Sequence, residues 1–233
     1  NIRIKSVVIR EPVNEVGVQS FYNCTALRDL TLGKIENIRK EAFSGCVRLK
    51  EVRLPRELNH LGRAAFSGCK RLENLCFSSK MQCSVIADES FLGCETIKEC
   101  YIPDTVRIIG SRAFYKCISL SHIDFPSGIE SIEKEAFYQT GLTELCLPAG
   151  LKKIGDSAFL KCNQLEYARI PESVKCIEKW AFHGCNRLKV LEIAHDPEFI
   201  GEWIINRSAA VRCVKGSKVD DYCKDMGFTV EYL

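Results

Sequence analysis

The chain has 233 residues, 46% of them hydrophobic and 27% charged, a globular composition and not a disordered one, long enough for one large domain or two small ones. A formal net charge of +3 is too small to argue for a nucleic acid or an anionic membrane as partner. No run approaches the ~18 apolar residues of a membrane-spanning helix. No signal peptide is visible, although the sequence opens on Asn1 and not on Met, so that absence says little about address.

The first predicted element is a strand near Val7 to Ile9. A phrase then returns along the chain, as in "EAFSGCVRLKEVRLP" from Glu41 to Pro55 and "WAFHGCNRLKVLEI" from Trp180 to Ile193. Its phenylalanines are Phe21, Phe43, Phe66, Phe91, Phe114, Phe137, Phe159 and Phe182, spaced by 22, 23, 25, 23, 23, 22 and 23 residues. Ala or Ser precedes each of them. An aliphatic residue stands five positions earlier every time: Val16, Ile38, Leu61, Ile86, Ile109, Ile132, Ile154 and Ile177. Leu or Ile follows six positions later, except in the sixth unit, where Leu142 comes one residue early.

Each unit then alternates apolar and polar residues, as in Val52-x-Leu54, Ile123-x-Phe125 and Leu191-x-Ile193. Period two with one apolar face predicts a half-buried strand. Pro55, Pro103, Pro126, Pro148 and Pro171 close such strands, because proline has no N–H to give to a ladder. Length varies in two places: the third unit gains two residues in Ser78 to Ser84, and the sixth loses one at "YQTGL", where Gly141 helps the chain turn tightly. A unit of ~23 residues cannot bury its apolar face alone, so neighbouring units must stack.

The columns Ile-Gly-x-x-Ala-Phe-x-x-Cys-x-x-Leu-x-x-Ile-x-Ile-Pro resemble leucine-rich repeats of the BspA-like class, over about residues 7 to 205. The tail from Ala210 to Phe228 is similar to the closing segment of such proteins. The resemblance implies an α/β repeat solenoid: a right-handed superhelix with a parallel sheet on its concave face and short helical turns and extended segments elsewhere. It divides the chain into residues 1–209, a partial N-terminal unit plus about eight repeats, and residues 210–233, a cap. It also implies a recognition or adhesion protein, bacterial and at the cell surface or secreted, that binds proteins, among them host or matrix proteins. The alternatives are an intracellular interaction scaffold in the cytoplasm and a thiol-dependent enzyme or redox sensor. No cofactor, metal or membrane insertion is expected, and the expected answer on catalysis is no.

Fourteen cysteines are many for such a chain. None forms a Cys-x-x-Cys pair or a Cys/His cluster at zinc-site spacing. Seven of them, Cys24, Cys46, Cys69, Cys94, Cys117, Cys162 and Cys185, stand three residues after a phenylalanine, with Thr140 in the shortened unit. One residue type at one repeated position reads as a column of small buried hydrophobes. Stacked positions point the same way, so a disulfide ladder is not expected. Cys100 should be buried on its strand. Cys76 and Cys146 fall on outward strand positions, where they are either reactive or, on the reading preferred here, partly covered by neighbours. Cys213 and Cys223 are either a pair in the cap or two free thiols. Many unpaired thiols fit a reducing or anaerobic setting.

If the apolar strand residues point inward, those between them line the exposed sheet. They run Asp29, Thr31, Glu51, Arg53, Asn74, Cys76, Glu99, Tyr101, His122, Asp124, Glu144, Cys146, Tyr167, Arg169, Val190 and Glu192. Six acids against two arginines make this ribbon acidic, which argues against a phosphate backbone as ligand. Eight strands at ~4.8 Å spacing span roughly 35–40 Å, enough for a protein. The candidate partner-binding residues are Arg53, Glu99, Tyr101, His122, Asp124, Glu144, Tyr167, Arg169 and Glu192, with Tyr and Arg the types that anchor interfaces. His122, Asp124, Glu144 and Cys146 make a conceivable catalytic set, but an open sheet supplies neither oxyanion site nor water exclusion. His60 and His183 sit at exposed repeat positions and His195 in a loop, without a partner set. The sequons at Asn23 and Asn206 are common by chance and carry no weight.

Overall fold

The computed structural model describes residues 3–233. Each repeat makes one turn with two strands, except the sixth, which keeps only the short one, and every strand pairing is parallel and joins neighbouring turns. The long strands are Ser6–Ile9, Asp29–Leu32, Glu51–Leu54, Asn74–Phe77, Glu99–Tyr101, His122–Asp124, Tyr167–Ile170, Val190–Ile193, Ala210–Cys213 and Thr229–Tyr232. Two-residue strands, from Glu15–Val16 to Phe199–Ile200, carry the aliphatic column and form a second set of ladders. The expected strand near Val7 to Ile9 is present, paired with Asp29–Leu32.

The core is a file of phenylalanine rings. From Phe21 to Phe182 the successive centroids lie 5.1–5.8 Å apart with planes within 20° of parallel, inside the range of favourable aromatic contact. The widest step, 5.8 Å between Phe66 and Phe91, spans the two-residue insertion. Phe77 and Phe125 meet that file edge-on. The insertion itself is drawn inward: Met81 and Cys83 are buried. A further buried column, Ile35, Leu58, Cys83, Val106, Ile129, Leu151 and Val174, stands three residues before each short-strand aliphatic.

The residue before each phenylalanine is small because the main chain is shared there. Phe43 N–H donates to the carbonyl of Ala65 at 2.8 Å, and Phe114 and Phe159 do the same to Ala136 and Ala181. These bonds replace the i→i−4 bonds of a helix. The expected short helical turns are therefore absent, and among the described residues the only helix is Lys218–Met226. Two left-handed positions per turn enforce the path: one lies two residues before the ring, as at Glu41, Glu135 and Trp180, and one two residues after, at Gly45, Gly68, Gly93 and Gly184. Glycine suits the second column because it has no Cβ penalty there; Asn23, Lys116, Gln139 and Lys161 fill it elsewhere.

A two-turn period also runs through the position after the short-strand aliphatic. It reads Gly17, Arg39, Gly62, Ala87, Gly110, Glu133, Gly155, Glu178, Gly201. At Gly62 a Cβ would meet the Arg39 carbonyl carbon at 2.5 Å, so every second turn lies directly against the main chain of the turn before it.

A ninth turn follows Ile193. Ile205 takes the place of the phenylalanine, and Phe182 N–H donates to the Ile204 carbonyl at 2.8 Å. The helix Lys218–Met226 then closes the end, started by Ser217, whose side chain accepts from Asp220 N–H, and stopped by Gly227 in the left-handed conformation. Tyr222 ties it down, its hydroxyl donating to the Gly201 carbonyl at 2.9 Å.

Candidate partner-binding face

The long strands set the functional surface through their alternation. Along Glu51–Leu54 and Tyr167–Ile170 the second and fourth residues are buried and the first and third face water. Of the sequence-derived candidates, Arg53, Glu99, Tyr101, His122, Asp124, Glu144, Tyr167 and Arg169 are exposed on this one face, and Glu192 is half-buried. They do not form one uniform ribbon, because salt bridges divide them.

At the C-terminal end the charges neutralise one another. Glu192, only 12% exposed, receives Arg169 at 3.2 Å and Arg212 at 3.5 Å. The Tyr167 hydroxyl donates to it at 2.9 Å. Arg212 also holds Glu231 at 2.7 Å. Arg212 and Glu231 belong to this network and escaped sequence reasoning, which stopped the face at Glu192; the signal was available in the alternation of Ala210–Cys213. Near the N-terminal end Arg53 folds onto Glu51. Between these ends lies the acidic centre. Glu99 accepts only the Tyr101 hydroxyl, at 3.2 Å, and its charge pushes that phenol above its usual range. The Tyr101 and His122 rings lie 6.1 Å apart.

The cysteine column has a chemical reason beyond size. Sγ of Cys46, Cys69, Cys94, Cys117, Cys162 and Cys185 donates to the carbonyl of the phenylalanine one turn earlier, at 3.1–3.4 Å. Thr140, standing where the seventh would be, donates to its own turn's Phe137 carbonyl at 3.1 Å. A thiol is small, apolar and still a weak donor, so it fills the place and partners a buried acceptor. Burial pushes Cys46 up to about 12 and Cys69, Cys94 and Cys117 upward as well. No disulfide forms among the described residues, Cys213 and Cys223 in the cap stay unpaired, and Cys100 is buried as expected.

Two expectations are corrected. Cys76 and Cys146 are exposed and not partly covered; the Arg53 side chain that would shade Cys76 is drawn to Glu51. His183 is half-buried, not exposed, because its ring reaches the Ile205 carbonyl of the next turn. His195 bonds the Val174 carbonyl at 2.8 Å. No hydrogen bond joins Cys146, His122, Asp124 and Glu144 among the described residues, and no group of three or more His, Cys, Asp or Glu there is placed to hold a metal.

The repeat geometry and the columns that build it decide the relationship. Residues 1–85 and 84–212 match the BspA type leucine rich repeat region, in six copies. The chain belongs to this family. No curated protein matches it in sequence. Among solved structures, the BspA-type chain is similar to the pneumococcal vaccine antigen PcpA, at 18% identity and TM-score 0.52, over 99% of this chain and 80% of that one. It is also similar to a leucine rich cell surface protein of Faecalibacterium prausnitzii, at 20% identity and TM-score 0.48, over 98% and 73% of the two chains. The likeness to the first is one of fold. BspA-type and other leucine-rich repeats are in general non-catalytic interaction modules, and among the described residues no helix is long and apolar enough to cross a membrane.

Proposed function

We propose that this chain is a non-catalytic protein-binding module, that its contact surface is the long-strand face, and that it serves recognition or adhesion at a bacterial cell surface or outside the cell. The observation that carries the reading is the split along each long strand. The inward residues keep the core, while the outward ones change type from turn to turn and leave Glu99, Asp124 and Glu144 without a cationic partner among the described residues. Side chains that vary on a fixed scaffold can be fitted to a partner without disturbing the fold. That a pneumococcal vaccine antigen shares the fold supports the location. Fourteen cysteines, with no disulfide among the described residues, favour a second reading, an intracellular interaction scaffold.

The test is capture of partners by the intact chain and by a variant carrying Arg53→Glu, Tyr101→Ala, Tyr167→Ala and Arg169→Glu, with matched circular dichroism. A partner held by the first and lost by the second is the expected result. Partners that do not distinguish the two chains move the site off this face and refute the proposal.

A further inference from the structure

The sixth turn is one residue short, and the consequence is a gap in the long-strand face. Gly141 makes the shortened corner, where a Cβ would meet the Ile118 carbonyl at 2.6 Å. Beyond it residues 143–148 carry no strand, although Leu145 is buried as on every other turn. The turn stays bound elsewhere: Ser131–Ile132 pairs with Lys153–Ile154, and the Phe137 ring lies 5.4 Å from that of Phe159. On the long-strand side the ladder is also interrupted between Asp29–Leu32 and Glu51–Leu54 and between Asn74–Phe77 and Glu99–Tyr101, but both strands persist at those places, whereas the sixth turn has none. A cavity of about 1110 Å³ opens there, lined by Glu144, Leu145 and Cys146 on one side and Tyr167, Arg169 and Ile170 on the other.

The walls of this slot are main chain with nothing to pair. In the paired turns the outward residues, or the residue just before them, send N–H groups back to the previous turn, as Asn74 does to Lys50, His122 to Lys98 and Ala210 to Lys189. The same register aims the N–H and C=O groups of Tyr167 and Arg169 at the sixth turn. Tyr167–Ile170 pairs only with Val190–Ile193 on its other side. No backbone bond crosses from Glu144–Leu147 to it among the described residues. An open strand edge is a template for another extended chain.

We propose that the slot between the sixth and seventh turns receives an extended segment of a protein partner, which adds as a strand to the edge of Tyr167–Ile170 and sets a Lys or Arg side chain against Glu144. This rests on the reading of the long-strand face as a protein-binding surface. A row of donors and acceptors repeating along a strand matches polypeptide main chain, and four residues offer ~13 Å of edge at ~3.3 Å per residue. Charge selects the side chain. Glu166 is engaged with Lys189 at 2.7 Å and Arg169 with Glu192 at 3.2 Å, while Arg187, at the slot's rim, is turned onto the Gln164 side-chain oxygen at 2.7 Å. Glu144 and Glu172 have no ion pair among the described residues, and Asp124 and Glu99 extend the acidity. Inward, Leu145, Leu147 and Ile170 line the slot, so a segment seated there meets an apolar floor.

The probe is a blocked hexapeptide alternating lysine with valine, beside its glutamate counterpart and a copy N-methylated on alternate residues. In the free chain the Tyr167 and Arg169 amides should exchange at least ~100-fold faster than those of Ala168 and Ile170, which point into the ladder. The lysine peptide, at concentrations on the order of millimolar, should slow them at least about tenfold. N-methylation or glutamate should abolish that protection, and Glu144→Lys should reverse the charge preference. Arg169→Ala loses the ion pair to Glu192 alone and should keep the peptide; Arg169→Pro also removes the unpaired donor, so it should fold and lose the peptide. Should it fail to fold, one serine inserted after Gln139 restores the common spacing, and Tyr167 and Arg169 should then be protected with no peptide present. Protection of both amides in the free chain, equal binding of all three peptides, or no binding at all overturns the slot. A protein partner lost with Glu99→Lys and Tyr101→Ala but kept by Arg169→Pro overturns it too and leaves the broader reading standing. Loss in neither case overturns both.

Discussion

The buried thiols make the fold sensitive to alkali, by an amount that can be worked out. Six of them, Cys46, Cys69, Cys94, Cys100, Cys117 and Cys223, are held above their ordinary range by burial. In the unfolded chain the same groups ionise near pH ~8.5. Their folded values are raised, so their contribution is intact below that pH and is lost as pH climbs toward the folded values. Above pH ~8.5 the unfolded state binds fewer protons, and stability must fall. Each such thiol is worth about 1.4 kcal/mol per pH unit once fully ionised in the unfolded chain. At pH 9, with about three-quarters ionised, six give a slope of about 6 kcal/mol per unit. A stability of about 5–15 kcal/mol is then exhausted between about pH 9 and 10.3. The assay is urea unfolding under a phosphine reductant at steps from pH 7 to 10. Replacing Cys69, Cys94 and Cys117 with alanine should lower stability at pH 7 yet cut the slope by about half. A wild-type slope below about 2 kcal/mol per unit at pH 9 would mean that these thiols ionise in place, and the account of a dry, hydrogen-bonded column would fall with it.

Two further outcomes are expected. Phe114→Ala removes a fully buried ring stacked on both Phe91 and Phe137 and should cost about 4 kcal/mol. Phe21→Ala removes a half-buried ring with one stacked neighbour and should cost about 1.5 kcal/mol. Urea midpoints measure the difference, and equal costs would refute a ring file that gains strength from two-sided packing. In a thiol titration of the reduced native chain, Cys76 and Cys146, the two exposed cysteines, should react first and fast. The remaining twelve of the fourteen should react slowly or only after denaturation, and early reaction of the Cys94 or Cys117 thiol would contradict the burial shown for that column.

Most of the fold could be read from the chain because stacking forces one residue class to one place in every turn. The eight phenylalanines, the aliphatic column and the cysteines all land where the spacing puts them. The parts that were not legible have specific causes. The family resemblance implied helical turns, but side-chain columns do not reveal that Phe43 N–H will bond Ala65 of the next turn and not its own. The ninth turn was hidden because Ile205 replaces the aromatic. The alternating glycines at positions 17, 62, 110, 155 and 201 were in view, yet a period of two turns shows itself only when columns are compared at twice the repeat. On the binding face, exposure followed from alternation, whereas pairing did not. Glu192 looked as free as Glu99 until Arg212, from a strand assigned to the cap, was found beside it.

The shortened sixth unit shows why irregularities in a repeat carry more information than its matches. The matching columns restate one packing solution, and any turn would do in place of another. A missing residue cannot be absorbed evenly, because the short-strand ladder and the ring file fix two sides of each turn at the spacing of its neighbours. The strain then collects on the side held most weakly, here the long strand after Gly141, and the main chain opens at the same level where the acidic centre of the face gives way to the neutralised network around Glu192. Sequence alone locates the deletion to within a residue or two but cannot say which side of the turn will give. The stacked structure decides that, and it puts the exposed edge of Tyr167–Ile170 beside the unpaired charge of Glu144.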